Sequence, residues 1–201
     1  DVINTLRQIS KNDYLNVADI IKLSEIDKKT VPTDTIMFLD TSGSMGTSII
    51  IQSIDQLLNH IHEASKTSNG KFSINTFGNH SSRYDHIDLS PAECRGKLYD
   101  RDFLGGATYT NSIIEGIKRI SKNKTKKKLL IFGDGEFSDL HQFLNGLDEL
   151  VLGNYMENVV EVILAFPLSV SEEIQTRVAE GVGRILEKIT SRIVQFTVYN
   201  V

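Results

Sequence analysis

Thr35-Ile36-Met37-Phe38-Leu39-Asp40-Thr41-Ser42-Gly43-Ser44-Met45-Gly46 is the stretch from which the fold is read. Its first five residues form a short run with apolar side chains on both faces, which reads as a buried strand. The run ends on a carboxylate, two serines and two glycines. Ile50, Ile54, Leu57, Leu58 and Ile61 then recur at helical spacing, giving an amphipathic helix over about 47–66. A buried strand, a polar glycine-bearing loop and a helix are the opening unit of an α/β sheet.

The same alternation continues downstream. Asn69-Gly70 marks a turn, and Phe72, Ile74 and Phe77 mark a second strand. After a Gly78-Asn79 turn, 83–89 reads as a polar strand suited to a sheet edge. A short helix follows Pro91, and Ile113, Ile117 and Ile120 line another. Leu129 to Phe132 is a buried strand, followed by a helix through Leu140, Phe143, Leu144 and Leu147. Val159 to Phe166 is the next strand. Ile174, Val178, Val182, Ile185 and Ile189 line a long helix, and Arg192 to Tyr199 is the last strand. No internal repeat is present. The expected fold is a doubly wound, mostly parallel Rossmann-like sheet of about six strands, one of them an antiparallel edge, with helices on both faces. Ligands in such folds bind beyond the carboxyl ends of the strands, where strand order reverses.

Residues 1–29 read as a helical extension preceding a domain over 30–201. Val2, Leu6 and Ile9 form one stripe, and Val17, Ile20 and Ile21 a second, shorter one. Such stripes need a surface to bury against. The expectation is that they dock on the sheet–helix body.

Composition bounds the function. The chain has 201 residues, 40% apolar and 24% charged, ordinary values for a globular domain. Its net charge of −4 gives no bulk drive toward nucleic acid or an anionic membrane. No apolar run approaches a membrane span. One cysteine, Cys94, excludes an intrachain disulfide framework and a cysteine-based zinc site, and it reads as inert. The low cysteine content and the Lys-, Asn- and Ile-rich character suit a cytoplasmic, bacterial setting. The chain begins at Asp1 rather than Met, so it reads as a piece of something longer. The sequons at Asn79 and Asn123 are short enough to arise by chance.

Three segments placed after strands or loops carry the chemistry: Asp40 to Gly46, Gly105-Gly106-Ala107-Thr108, and Gly133-Asp134-Gly135-Glu136. Their polar side chains are carboxylates and hydroxyls. Oxygen donors of this kind suit a hard cation, magnesium or manganese, rather than zinc or copper. Asp40, Ser42 and Ser44 lie at intervals of two, which in an extended segment turns them to one side. Gly43 and Gly46 allow the backbone to bend around an ion. The helix beginning near Thr47 points free N–H groups at the loop.

With these residues in place the sequence resembles the von Willebrand factor A family. Its metal-ion-dependent adhesion site reads Asp-x-Ser-x-Ser, then a distant Thr, then a distant Asp. Asp40, Ser42, Ser44, Thr108 and Asp134 match those positions, and the element order agrees over about 34–199. The resemblance implies a non-catalytic module in which the hydroxyls and carboxylates hold Mg2+ or Mn2+, while a partner protein's Asp or Glu fills an open coordination position. Domains of this family serve in adhesion, in chelatase complexes with ATPases and in bacterial stress systems, so a multi-protein complex is within its scope. One departure stands out: the family's usual C-terminal helix has no counterpart before Val201. Either it was trimmed away or the N-terminal helices take its place.

The rival reading is a haloacid-dehalogenase-like, magnesium-dependent phosphohydrolase with Asp40 as nucleophile, ahead of Gly43 and Ser44. Its acidic motif would correspond to Asp134 and Asp139. Ser42 stands where that chemistry places a second carboxylate, the helix starts too soon for an inserted flap, and Thr108 follows a loop. Glu136 and Asp139 either tune the charge of the site or cap the next helix. Met45 reads as packing beneath the loop. His60 and His62 are two apart and cannot share a helix face, and His80, His86 and His141 have no ligand spacing. Lys122, Lys124, Lys126, Lys127 and Lys128 read as a solvated loop at the opposite end of the sheet.

Overall fold

The computed structural model describes residues 32–78 and 88–201. The expected extension over 1–29 lies outside the described residues, as does most of the polar strand expected at 83–89.

Six strands form one sheet: β1 (Thr33–Asp40), β2 (Phe72–Phe77), β3 (Asp88–Leu89), β4 (Lys126–Phe132), β5 (Val159–Phe166) and β6 (Gln195–Asn200), in the order β3-β2-β1-β4-β5-β6. Five are parallel, and the two-residue β3 pairs antiparallel with β2 at one edge. The helices are α1 (Ser48–Ser68), α2 (Pro91–Lys97), α3 (Asn111–Ile120), α4 (Leu140–Leu152) and α5 (Glu172–Leu186). No helix among the described residues is long and apolar enough to cross a membrane.

Side-chain alternation divides the core into two layers. Ile36, Phe38, Leu129, Ile131, Val162 and Leu164 pack with α3, α4 and α5. Met37, Leu39, Leu130, Phe132 and Ile163 face the other way and pack with α1 and α2. The α1 stripe buries Ile50, Ile54, Leu57, Leu58 and Ile61 as its spacing predicts, and α1 ends on Asn69 in the left-handed region (φ 54°). Met45 is fully buried beneath the loop that follows β1. Helix α2 starts on Pro91 with a reciprocal cap, in which Glu93 N–H meets Ser90 Oγ at 3.3 Å and Ser90 N–H meets the Glu93 carboxylate at 2.8 Å.

The lysine run departs from the expected solvated loop. Lys126, Lys127 and Lys128 belong to β4, which begins three residues earlier than its apolar core suggests. Lys127 is 2% exposed, and its ammonium donates to the carbonyls of Asn123 and Thr125, the latter at 2.6 Å. Burial pulls its pKa below the ordinary lysine value. Lys128 pairs with the buried Glu161 at 3.2 Å. Long aliphatic stems let these lysines extend the sheet while their charges find partners. At the far end, Ile193 is 94% exposed and precedes β6, so the last strand starts later than the sequence pattern indicates.

Candidate functional site

The register across the sheet places Leu39 beside Phe132 and Asp40 beside Phe77, so β1, β2 and β4 end level. Strand order reverses at β1, whose two neighbours are β2 and β4. The chains leaving β1 and β4 therefore diverge around a crevice, the position where doubly wound sheets bind ligands. Asp40 ends β1, and Asp134 follows β4 by two residues.

Hydrogen bonds join four of the five expected residues. Ser42 N–H donates to Asp40 Oδ1 at 2.8 Å. Ser42 Oγ and Ser44 Oγ lie 3.0 Å apart, and the Ser44 hydroxyl donates to Asp134 Oδ2. Asp134 Oδ1 accepts from Glu136 N–H at 2.9 Å. The serines do not meet through strand alternation, as their spacing implied. Only Ser42 is extended (φ −65°, ψ 163°), whereas Ser44 lies in a 3-10 turn over Gly43–Gly46. That turn tightens the chain and carries Ser44 back over Ser42. Gly43 and Gly46 are not sterically demanded: a Cβ on either would meet its nearest neighbour at 3.8 or 3.9 Å. The demand falls on Gly133, where a Cβ would come within 2.9 Å of both Asp40 Cβ and Asp40 Oδ2. Helix α1 follows the loop at once, starting near Thr47 as expected. Thr47 caps it, its hydroxyl accepting from Ile50 N–H at 3.4 Å.

Thr108 reaches the same end through its backbone. Gly43 N–H donates to the Gly106 carbonyl at 3.2 Å, and Ser138 N–H donates to the Thr108 carbonyl at 2.8 Å. Its hydroxyl stays outside the hydrogen-bonded chain of the other four. Thr108 is 5% exposed.

Several positioning residues carry no signal in the motif. Asp139 occupies the N-cap position of α4, but its side chain makes no capping bond there. Its carboxylate instead accepts from Thr110 N–H, at 3.1 and 3.2 Å, and from the Thr110 hydroxyl at 2.9 Å. That clamp ties the loop carrying Thr108 to the loop carrying Asp134. Phe137 stands edge-on to Phe77 and Phe143, with centroids 5.8 and 5.6 Å away, and anchors the second loop to the core. Thr41 donates from both N–H and hydroxyl to the Phe77 carbonyl, at 2.8 and 3.0 Å, holding the ends of β1 and β2 together. Thr110 lies two residues beyond Thr108 and Thr41 directly after Asp40. Those intervals are the trace of these roles in the sequence.

The electrostatics are unbalanced. Asp40 is fully buried, and its Oδ2 has no hydrogen-bond partner. Burial pushes its carboxyl up to about 7; hydrogen bonds from Ser42 oppose that rise and the neighbouring Asp134 adds to it. Two carboxylates and two hydroxyls converge here, with no ion pair to Asp40 or Asp134 among the described residues. Among those residues, too, no cluster of three or more His, Cys, Asp or Glu side chains forms. The donors that do converge are carboxylate and hydroxyl oxygens, which are hard ligands. A carboxylate oxygen that is buried without a partner is what a hard cation would complete, so these residues fit magnesium or manganese.

The α/β fold is similar to that of von Willebrand factor A domains. The structure matches the VWA domain of SpRpn10 with a TM-score of 0.54 at 9% identity, over 86% of this chain and 88% of that one. It matches the pilus adhesin SpaC from Lactobacillus rhamnosus GG, in its open conformation, with a TM-score of 0.54 at 13% identity, over 81% of this chain and 30% of the adhesin. At such identities the likeness is one of fold. No family model matches the sequence, and no curated protein matches it.

Proposed function

We propose that this domain is a protein-recognition module in which Asp40, Ser42, Ser44, Thr108 and Asp134 hold Mg2+ or Mn2+ and a partner presents an Asp or Glu carboxylate to it. The observation that carries this reading is the buried Asp40 oxygen without a partner, beside the bonded chain of Ser42, Ser44 and Asp134. A bound divalent ion supplies an electrophilic centre that attracts oxygen ligands. The two carboxylates balance its charge without closing its coordination shell, so a third carboxylate is still attracted. The hydroxyls add neutral donors. Gly105 and Gly106 carry no side chain to obstruct the approach, and the clamp between Asp139 and Thr110 holds the two loops at a set spacing.

Catalysis is no part of this reading. A phosphohydrolase needs Asp40 as an accessible nucleophile, yet Asp40 is fully buried, with one oxygen on Ser42 N–H and the other against Gly133. A cytoplasmic, bacterial setting and a place in a multi-protein complex, including one with an ATPase, belong to the same proposal and rest on composition and fold likeness.

The test is a calorimetric magnesium titration of the whole chain. Wild type should bind one ion, and Asp134→Ala should lose that binding while its circular dichroism stays native. Equal affinity in an Asp40→Ala/Asp134→Ala double variant would overturn the reading. Magnesium-dependent turnover of p-nitrophenyl phosphate would favour the hydrolase instead. Once a partner is known, its binding should vanish with chelator and weaken in Thr108→Ala.

A further inference from the structure

Helices α3 and α4 pack side by side on one face of the sheet. They come close where Ile114 meets Gly146: a Cβ on Gly146 would lie 2.9 Å from Ile114 Cγ1. These two residues form the floor of a groove of about 280 Å³ between the helices. Its mouth is made by Thr110 and Asp139, the clamp that ties the two metal-site loops. The walls are polar. Glu115 and Lys118 pair on α3 at 3.3 Å. Glu149, exposed on α4, has no side-chain partner among the described residues. Asn111, Gln142 and Asn145 add side-chain amides. Three carboxylates, those of Glu115, Asp139 and Glu149, thus line the groove against one ammonium. The function proposed above leaves this groove unused.

We propose that the groove takes an arginine side chain presented by a partner protein. Its volume lies just below the range of small-molecule pockets, about 300–1,000 Å³, and suits a single side chain. Its carboxylates are spread along the groove. Among the described residues no three acidic or histidine groups converge as a metal ion requires. A guanidinium carries five N–H donors in a planar fork and can meet acceptors that stand apart. Its aliphatic stem covers Ile114 and Gly146 while the charge stays among the carboxylates. Free arginine fits less well. Its own carboxylate would face Glu115, Asp139 and Glu149, and Lys118 is already held by Glu115. Within a polypeptide that group is a neutral amide.

The groove also lies close to the crevice at the strand ends. Thr110 is two residues beyond Thr108, about 7 Å at most. One partner can therefore reach both places, although the groove itself does not depend on the metal reading.

Nuclear magnetic resonance on the isotope-labelled full chain tests the proposal. The probe is N-acetyl-argininamide, with chelator present so that the metal site takes no part. Side-chain amide signals of Asn111, Gln142 and Asn145 should shift along one saturable curve. The citrulline analogue keeps the shape, loses the charge and should bind about tenfold more weakly. The lysine analogue should also bind more weakly, because it lacks the planar fork. Glu115→Gln/Glu149→Gln should weaken binding about fivefold. Glu173→Gln, which removes an exposed carboxylate on α5, should leave it unchanged. Absence of shifts at the groove overturns the proposal. So does equal binding of either analogue, or an equal loss in Glu173→Gln, which would make the attraction one of net charge alone. Because chelator is present throughout, such a failure leaves the metal reading standing, and failure of the magnesium titration leaves the groove standing.

Discussion

Both ends of this sheet bury charge, but they treat it differently. At the end where the strands begin, the described buried charges have partners, although the Oε1 oxygen of Glu161 stays unbonded. The Lys127 ammonium sits on two carbonyls, Glu161 holds Lys128 at 3.2 Å, and the Arg192 guanidinium donates to the carbonyls of Met156 and Val159. Asp34 accepts from Lys71 N–H at 2.9 Å and from the Thr125 hydroxyl at 2.7 Å. At the end where the strands finish, Asp40 and Asp134 approach one another with hydroxyls and backbone N–H groups around them and no cation among the described residues. Compensated charge belongs to the architecture. Uncompensated charge costs folding free energy, a cost that the proposed ion would offset.

The largest effect should follow from discharging the end where the strands finish, the upper end, as opposed to the lower end where they begin. In chelator, Asp40→Asn removes a buried charge while its amide oxygen keeps the Ser42 N–H bond. We expect stabilisation of about 1–3 kcal/mol, several degrees in melting temperature. Magnesium at 100 times its dissociation constant should stabilise wild type by about 2.7 kcal/mol and leave the variant unchanged. Calorimetric melts of both proteins, with and without magnesium, measure this. A variant less stable than wild type in chelator would mean that the Asp40 charge is structural, like those at the lower end.

The converse experiment removes a compensated charge. Lys127→Met keeps the aliphatic stem but strips the donor from the Asn123 and Thr125 carbonyls. The loss should be about 2–3 kcal/mol in urea unfolding, with magnesium affinity unaltered. An altered affinity would show that the two ends are coupled through β4.

The sequence pattern located the upper end better than the lower one, for a physical reason. A loop that must present oxygen donors leaves short-range marks: Asp, Ser and Gly at close intervals after an apolar run. Asp40, Ser42, Ser44 and Asp134 were legible that way, as were the parallel strands and the helix faces. What holds them was not. The clamp of Asp139 on Thr110 spans 29 residues and the Thr41 bond to Phe77 spans 36, so neither has a local signature. Ser44 reaches Ser42 by a 3-10 turn that the i, i+2 spacing concealed. The lysines failed for the opposite reason. Their composition reads as solvent-facing, while their stems and the partners at Asn123, Thr125 and Glu161 let them enter β4.

The smallest expected effect compares the ends directly. Ile49, in the first turn of α1 just beyond the site, is 78% exposed. Leu152, the last residue of α4, is 72% exposed at the other end. Cysteines placed at these positions start from similar accessibility. The native thiol adds little background, because Cys94 is fully buried and burial pushes its pKa up to about 12. Magnesium bound by Ser42 and Ser44 would act on the Gly43–Gly46 turn and thus on the start of α1. Ile49→Cys should therefore change its labelling rate by about twofold when magnesium is added, a change that reflects local electrostatics near the helix start. Leu152→Cys should not change at all. A response at Leu152 equal to that at Ile49 would mean that magnesium acts on the whole molecule, by surface screening or a global change in opening, rather than at the upper end.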